Sequence, residues 1–199
     1  RDYPLLTPKE VNTIVRRTMR RRLVVVGACI GSDAHTVGID AILNIKGFAG
    51  EKGLEYYREL RVVNLGAQVS VHRQPVTGNH VLGVFNPGAG SPIAMILHMD
   101  TVHPLGSFAS RFKIADGKMH GPGVFDMKAS HVIALSAIQA LRALKALPRR
   151  EIRALFTSDE EIGSGSSKAL IEELARGAAL VMVMEPALAD GRMKSSRRA

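Results

Sequence analysis

The chain has 199 residues, 46% of them hydrophobic, enough for one ordinary core or two small ones and too apolar for a disordered chain. Its 27 Lys+Arg against 18 Asp+Glu give a net charge of +9, but much of the excess lies in two runs, residues 16–22 and 192–198, that read as solvated. Neither run carries aromatic residues, so nucleic-acid binding is not expected. The single cysteine, Cys29, excludes an internal disulfide, and no apolar run reaches the ~20 residues needed to span a bilayer. A reducing cytoplasmic setting and no membrane partner are therefore expected. The chain opens on Arg1 rather than Met and shows no signal peptide, which reads as a missing true start.

Residues 9–22 follow a proline with mixed apolar and basic residues and predict a helix. It leads into LVVVGA (23–28), a β-rich run of the buried parallel type. A loop over 29–38, a helix over 39–46, another over 54–60 and a strand over 61–65 complete a β, loop, α, β pattern. The texture changes near residue 70, and a domain boundary is placed there, dividing segment 1–70 from segment 71–199. In the second segment HVLGVFN (80–86) and PIAMILHM (92–99) predict strands separated by the turn NPGAGS. Asp116-Gly117 is a hairpin signal, because both residues tolerate the positive φ that a tight two-residue turn demands. Residues 126–147 predict a long apolar helix stopped by Pro148, followed by a strand over 151–157, a helix over 164–175 and a strand over 178–184. The expected fold is α/β, a mixed, largely parallel sheet with flanking helices.

Open α/β sheets collect functional groups where strands end and loops begin. His98 and Asp100 close the strand PIAMIL, a spacing that lets His98 ligate a metal while the nearby Asp100 carboxylate accepts its other ring N–H and fixes the tautomer. Asp126 follows the turn Gly121-Pro122-Gly123 and is expected to open a helix, where the dipole favours a carboxylate that can bridge two cations. Glu160 and Glu161 stand side by side after IRALFTS, and Glu185, followed by Pro186, ends ALVMVM. Adjacent glutamates repel, and a dication relieves that cost: one binds metal while the other takes a proton from water. An isolated His-x-Asp or a surface glutamate pair is more often structural. The weight lies in the joint order of these groups and their placement at successive strand or loop ends.

The segments LHMDTVHP, GPGVFDMKAS, FTSDEEIGS and VMEP resemble the successive motifs of the M20 family of metallopeptidases, which includes glutamate carboxypeptidase and acetylornithine deacetylase. The resemblance covers residues 72–199 and implies a two-metal zinc hydrolase acting on a small amide or peptide substrate. It makes His98, Asp126 and Glu185 ligands of one zinc, with Asp126 bridging to a second zinc also held by Glu161. Glu160 becomes the general base and Asp100 the partner that orients His98. Glutamate at 185, before Pro186, is closer to the carboxypeptidase branch. The family takes a further histidine for the second zinc from the far C-terminal part of its catalytic domain, beyond an inserted lid and dimerisation domain. This chain ends at Ala199, so the second zinc is expected to lack one ligand. His103, His120 and His131 occupy no family ligand position and are taken as surface or core histidines.

In the first segment, Asp33-Ala34-His35-Thr36-Val37-Gly38 follows the strand LVVVGA and fits Asp-x-His-x-x-Gly. There an exposed imidazole can coordinate cobalt, the aspartate tunes its basicity and the glycine admits a cofactor tail. An Asx turn with a nearby histidine explains the same six residues. The wider stretch through VVNLGAQVS resembles the cobalamin-binding small subunit of the lysine 5,6-aminomutase and ornithine 4,5-aminomutase family, whose fold is flavodoxin-like. That resemblance implies His35 as lower cobalt ligand, with Asp33 and Gly38 in the motif, and Lys46 as the lysine that binds pyridoxal phosphate. It covers about the first 70 residues, and the family's later Ser-x-Leu turn and Gly-Gly loop have no counterpart. Two resemblances joined without a linker leave three functional expectations: a zinc amide hydrolase, a cobalamin and pyridoxal phosphate binding module, or an inactive fusion fragment with exposed sheet edges.

Overall fold

A computed structural model describes residues 6–30, 42–47, 49–86, 90–108, 112–188 and 190–194. The chain divides into two compact units, Arg1–Ser70 and Val71–Ala199. Among the described residues no helix is long and apolar enough to cross a membrane.

The first unit opens with helix α1, Pro8–Met19. Thr7 caps it through a reciprocal capping box with Glu10, and Pro8 occupies the first turn, where a missing N–H costs nothing. Arg20 ends it in the left-handed region, with its N–H on the Arg16 carbonyl. Strand β1, Leu23–Ile30, runs parallel to β2, Leu60–His72, with Leu23 opposite Leu60 and a register shift between Gly27 and Cys29. The helix expected over 54–60 is one short 3-10 turn, Leu54–Tyr56. Tyr57 is already extended, and Leu23 N–H donates to the Glu59 carbonyl, so ladder pairing overrides local helix preference. Of the helix expected over 39–46, Ile42 and Leu43 are helical and residues 44–46 form a bend and turn, while 39–41 lie outside the described residues.

The second unit is a four-stranded arrangement in the order β3 (His80–Phe85), β7 (Ile152–Thr157), β4 (Ile93–His98), β8 (Leu180–Val183). β3 is antiparallel to β7, while β7 and β8 both run parallel to β4. β5 (Lys113–Ala115) and β6 (Lys118–His120) form a separate hairpin whose turn residues Asp116 and Gly117 have φ of 51° and 70°, the geometry that type I′ requires. β4 buries residues on both faces, as a central parallel strand must. Ala94, Leu155 and Leu174 form a buried cluster against which Leu82, Leu170, Ile171 and Ala178 pack, which seats helix α3 (Lys168–Arg176) on the sheet. β8 is far more exposed than β4, with Leu180 and Val183 open to solvent.

Helix α2 spans Ala129–Ala143, shorter at both ends than the helix expected over 126–147. The preceding segment, Val124–Lys128, is one wide turn in which Asp126 and Met127 have non-helical backbone. Its apolar letters continue the helical pattern, but the buried side chain of Met127 and the positive φ of Gly123 set the chain path instead. At the other end Lys145, with φ 55°, turns the chain before Pro148.

Candidate active site

Parallel pairing places His98 opposite Thr157 and Ile96 opposite Val183, so β4, β7 and β8 all finish at the same end of the sheet. The residues that follow those ends, Asp100, Glu160 with Glu161, and Glu185, are delivered there together with His98. Asp126 arrives from the turn before α2. That turn needs Gly123: a Cβ there would lie 2.5 Å from Thr101 Cγ2 and 2.9 Å from the Asp126 carbonyl oxygen. Asp126 itself has non-helical backbone, with φ −113° and ψ 100°, so it does not open the helix as expected. Its extended backbone instead sends Met127 beneath β4, where Sδ accepts the His98 N–H at 3.0 Å.

His98 is the hub. Its Nε2 lies 3.0 Å from Asp126 Oδ1 and 3.5 Å from Glu185 Oε1. Ligand atoms of His98, Asp126 and Glu161 all fall within 4.8 Å of one another. Glu185 is not a member of that three-residue group, although it touches His98. Nδ1 of His98 is 3.1 Å from the Asp100 carbonyl oxygen and 3.5 Å from its Oδ1. The backbone carbonyl, not the carboxylate that the spacing suggests, is therefore the nearer acceptor. The Asp100 carboxylate also binds the loop after β7, since Oδ2 accepts the Glu161 N–H at 2.9 Å, while Glu161 Oε1 accepts from Val102 N–H at 3.1 Å. Asp100 thus ties the end of β4 to that loop. Glu160 is exposed on the short turn Glu160–Ile162.

With Nδ1–H directed at a carbonyl oxygen, the Nε2 lone pair of a neutral His98 faces two carboxylates. Only a proton or a cation between them makes that arrangement favourable. Burial alone disfavours the imidazolium, yet the hydrogen bond to Asp126 and the charges of Glu185 and Asp100 prevail and hold His98 above its ordinary value. Burial raises the Glu185 carboxyl, the charges of Asp126 and Glu160 push the same way, and His98 opposes them. One imidazole nitrogen with several carboxylate oxygens is a donor set that suits zinc, so the residues present fit the metal that the sequence implies.

Of the residues expected in the first unit, Asp33, His35 and Gly38 lie outside the described residues. Lys46 is exposed on the turn after Leu43, where Gly47 N–H is held by Asn44 Oδ1. His103 is exposed and packs edge-on against Phe108 at 4.7 Å, and His120 is exposed at the end of β6.

Three groups near the site are not among the expected site residues, although Asp159 lies inside FTSDEEIGS. His131 on α2 places Nε2 2.7 Å from the His98 carbonyl oxygen and stacks edge-on against Phe156. Burial lowers its basicity, so it meets that carbonyl as a neutral N–H donor. His80 and Asp159 are 0% and 1% exposed and flank the loop bearing Glu160 and Glu161. Burial works against the Asp159 charge, but Ser167 and Ser166 prevail and hold its carboxyl below the ordinary range. An aspartate directly before a glutamate pair, followed by several serines, is the sequence signal that could have marked it.

Known proteins of two unrelated kinds resemble parts of this chain. A stretch of 66 residues is 50% identical to the lysine 5,6-aminomutase beta subunit of Acetoanaerobium sticklandii, covering 33% of this chain and 25% of that protein. Carboxypeptidase G2 of a Pseudomonas species is 32% identical over 133 residues, 65% of this chain and 32% of that protein. The chain therefore spans a quarter to a third of the length of these curated relatives. The crystal structure of human carnosine dipeptidase 1 shares the fold over 62% of this chain and 30% of its own, with a TM-score of 0.52 and 21% identity. A sequence model of peptidase family M20/M25/M40 matches residues 94–196, more than half of the 199 residues and the whole of the constellation around His98. The chain belongs to that peptidase family.

Proposed function

We propose that the second unit is the metal-bearing part of a zinc-dependent hydrolase of amide or peptide bonds in small substrates. The observation that carries this reading is Nε2 of His98 set 3.0 Å from Asp126 and 3.5 Å from Glu185, with a Glu161 ligand atom in the group around it. His98, Asp126 and Glu185 would hold one zinc, and Asp126 with Glu161 a second. A bound dication supplies Lewis-acid polarisation of a carbonyl and makes water nucleophilic near neutral pH. The protein's own groups do the rest. Asp100 orients His98 through Nδ1 and Glu161 through its backbone N–H. Glu160, exposed beside them, accepts the proton of the attacking water and returns it to the leaving amine.

Zinc uptake by the full chain, followed by competition with a chromophoric chelator, tests the site. Wild type is expected to bind zinc, and His98→Ala to lose more than about tenfold in affinity, at least what the loss of an outer partner costs. Amide hydrolysis by the wild type with none in Glu160→Ala would support the base assignment. Equal hydrolysis in both would remove it.

A second reading belongs to the first unit and is favoured by 50% identity over 66 residues to an aminomutase beta subunit. There His35, with Asp33 and Gly38, would bind cobalamin, and Lys46 pyridoxal phosphate. Cobalamin added to the wild-type chain is expected to shift its visible spectrum, and His35→Ala to abolish the shift. An identical spectrum with and without protein ends this reading.

A further inference from the structure

Two glutamates of the proposed active site, Glu160 and Glu161, ride on one loop, and a buried polar chain fastens that loop to elements on its far side. Asp159 Oδ2 accepts from Ser166 N–H at 2.7 Å, Ser166 Oγ at 2.7 Å and Ser167 N–H at 3.1 Å. The Asp159 carbonyl accepts Ser164 N–H at 2.7 Å. One residue thus closes the loop on itself, from the position before Glu160 to the start of α3. Burying a carboxylate is costly without donors, and here three from the loop it organises converge on Oδ2.

The chain of contacts continues into β3. Ser158 N–H lies 3.3 Å from His80 Nδ1, and a backbone N–H can only donate, so Nδ1 is the acceptor and the ring proton sits on Nε2. Nε2–H then donates to Ser166 Oγ at 3.0 Å, and the Ser166 hydroxyl donates to Asp159. Ser158 Oγ donates to the Gly78 carbonyl, and Thr77 Oγ1 lies 3.0 Å from Ser166 Oγ. Along the path from His80 through Ser166 to Asp159 each proton has one acceptor, so that path has a single direction. On its opposite side the loop is held by Asp100 and Val102 through Glu161.

We propose that His80, Ser166 and Asp159 are positioning residues that hold the Asp159–Glu161 backbone so that Glu161 meets the metal and Glu160 faces the substrate. This rests on the zinc reading above. A residue that merely stabilises the fold changes unfolding and leaves metal affinity alone. A positioning network changes metal affinity in a chain that remains folded, as partners behind metal ligands do.

The test uses the full chain, with Ser166→Ala removing only the hydroxyl that joins His80 to Asp159. Zinc affinity is measured by chelator competition, with Glu161→Gln as reference, alongside amide exchange of residues 158–167 without metal. Ser166→Ala is expected to keep a cooperative unfolding transition, to weaken zinc binding about tenfold and to speed exchange in 158–167. Unchanged zinc affinity in folded Ser166→Ala overturns the proposal where Glu161→Gln weakens binding, whatever exchange shows. If Glu161→Gln binds zinc as the wild type does, the zinc reading fails and exchange alone decides. Faster exchange then retains the network's hold on the loop, and unchanged exchange removes it. Should Ser166→Ala lose its cooperative transition, His80→Gln, which keeps a donor toward Ser166 but not the Nδ1 acceptor, is judged by the same criteria.

Discussion

The two units place their candidate residues on very different foundations. In the second, His98 stands at the end of a strand paired on both sides, and Ala94, Met95, Leu97, Ile152, Ala154 and Leu155 are all buried along β4 and its neighbour β7. In the first, Lys46 sits exposed on a turn, and the buried hydrophobic residues among those described are Val15, Leu43 and Ala67. A motif becomes a site when ladder register and a dense core fix where its side chains point. Parallel register carries the carboxyl ends of β4, β7 and β8 to one edge, so groups far apart in sequence arrive together and the loops after those strands complete the site.

The largest effect that would sharpen this contrast is on stability. Leu155 is 2% exposed and sits at the centre of the cluster with Ala94 and Leu174. Leu155→Ala is expected to cost about 2–5 kcal/mol, because surrounding strands cannot close over the lost volume. Val15 is 8% exposed and the buried residue of α1. Val15→Ala should cost less, about 1–2 kcal/mol, from two lost carbons at ~0.8 kcal/mol each. Urea unfolding read through region-resolved amide exchange compares them. Equal costs would break the contrast in core density.

Much of the second unit is legible in the sequence because its signals are local. Short β-rich runs bounded by Gly and Pro place the strands, and Asp116-Gly117 has the turn chemistry that its positive φ values require. The polar residues of the constellation stand out because each follows an apolar strand or a Gly-rich turn. What stays hidden depends on non-local placement. The start of α2 escapes a reading of the pattern because Val124, Phe125 and Met127 continue an apolar run, whereas burial of Met127 under His98 decides the backbone there. His131 reaches the His98 carbonyl from 33 residues away, and His80 reaches Ser166 across 86. Neither separation leaves a periodic trace. In the first unit the 3-10 turn Leu54–Tyr56 replaces a helix because pairing of Leu60 with Leu23 claims the following residues.

The smallest expected effect lies at the start of the first unit, where order depends on a local charge rather than a core. The Glu10 carboxylate accepts from Thr7 N–H at 2.8 Å and Thr7 Oγ1 at 2.7 Å, while Thr7 Oγ1 accepts from Glu10 N–H at 3.4 Å. The Thr7 hydroxyl first, then its backbone N–H, hold the Glu10 carboxyl below its ordinary range. A carboxyl held low in the folded chain contributes fully above the ordinary glutamate value, and the contribution fades as pH falls through the lowered one. The Thr7 amide resonance, followed by NMR down the acid range, is therefore expected to titrate at a pH below that of an ordinary glutamate. In Glu10→Gln, which keeps an acceptor but no charge, that titration should vanish while α1 keeps its N-terminal boundary. A Thr7 resonance that moves at the ordinary glutamate pH would mean the cap is open in solution, and the first turn of α1 would then be secured by Pro8 and the Asn12 side chain's hold on Glu59 N–H.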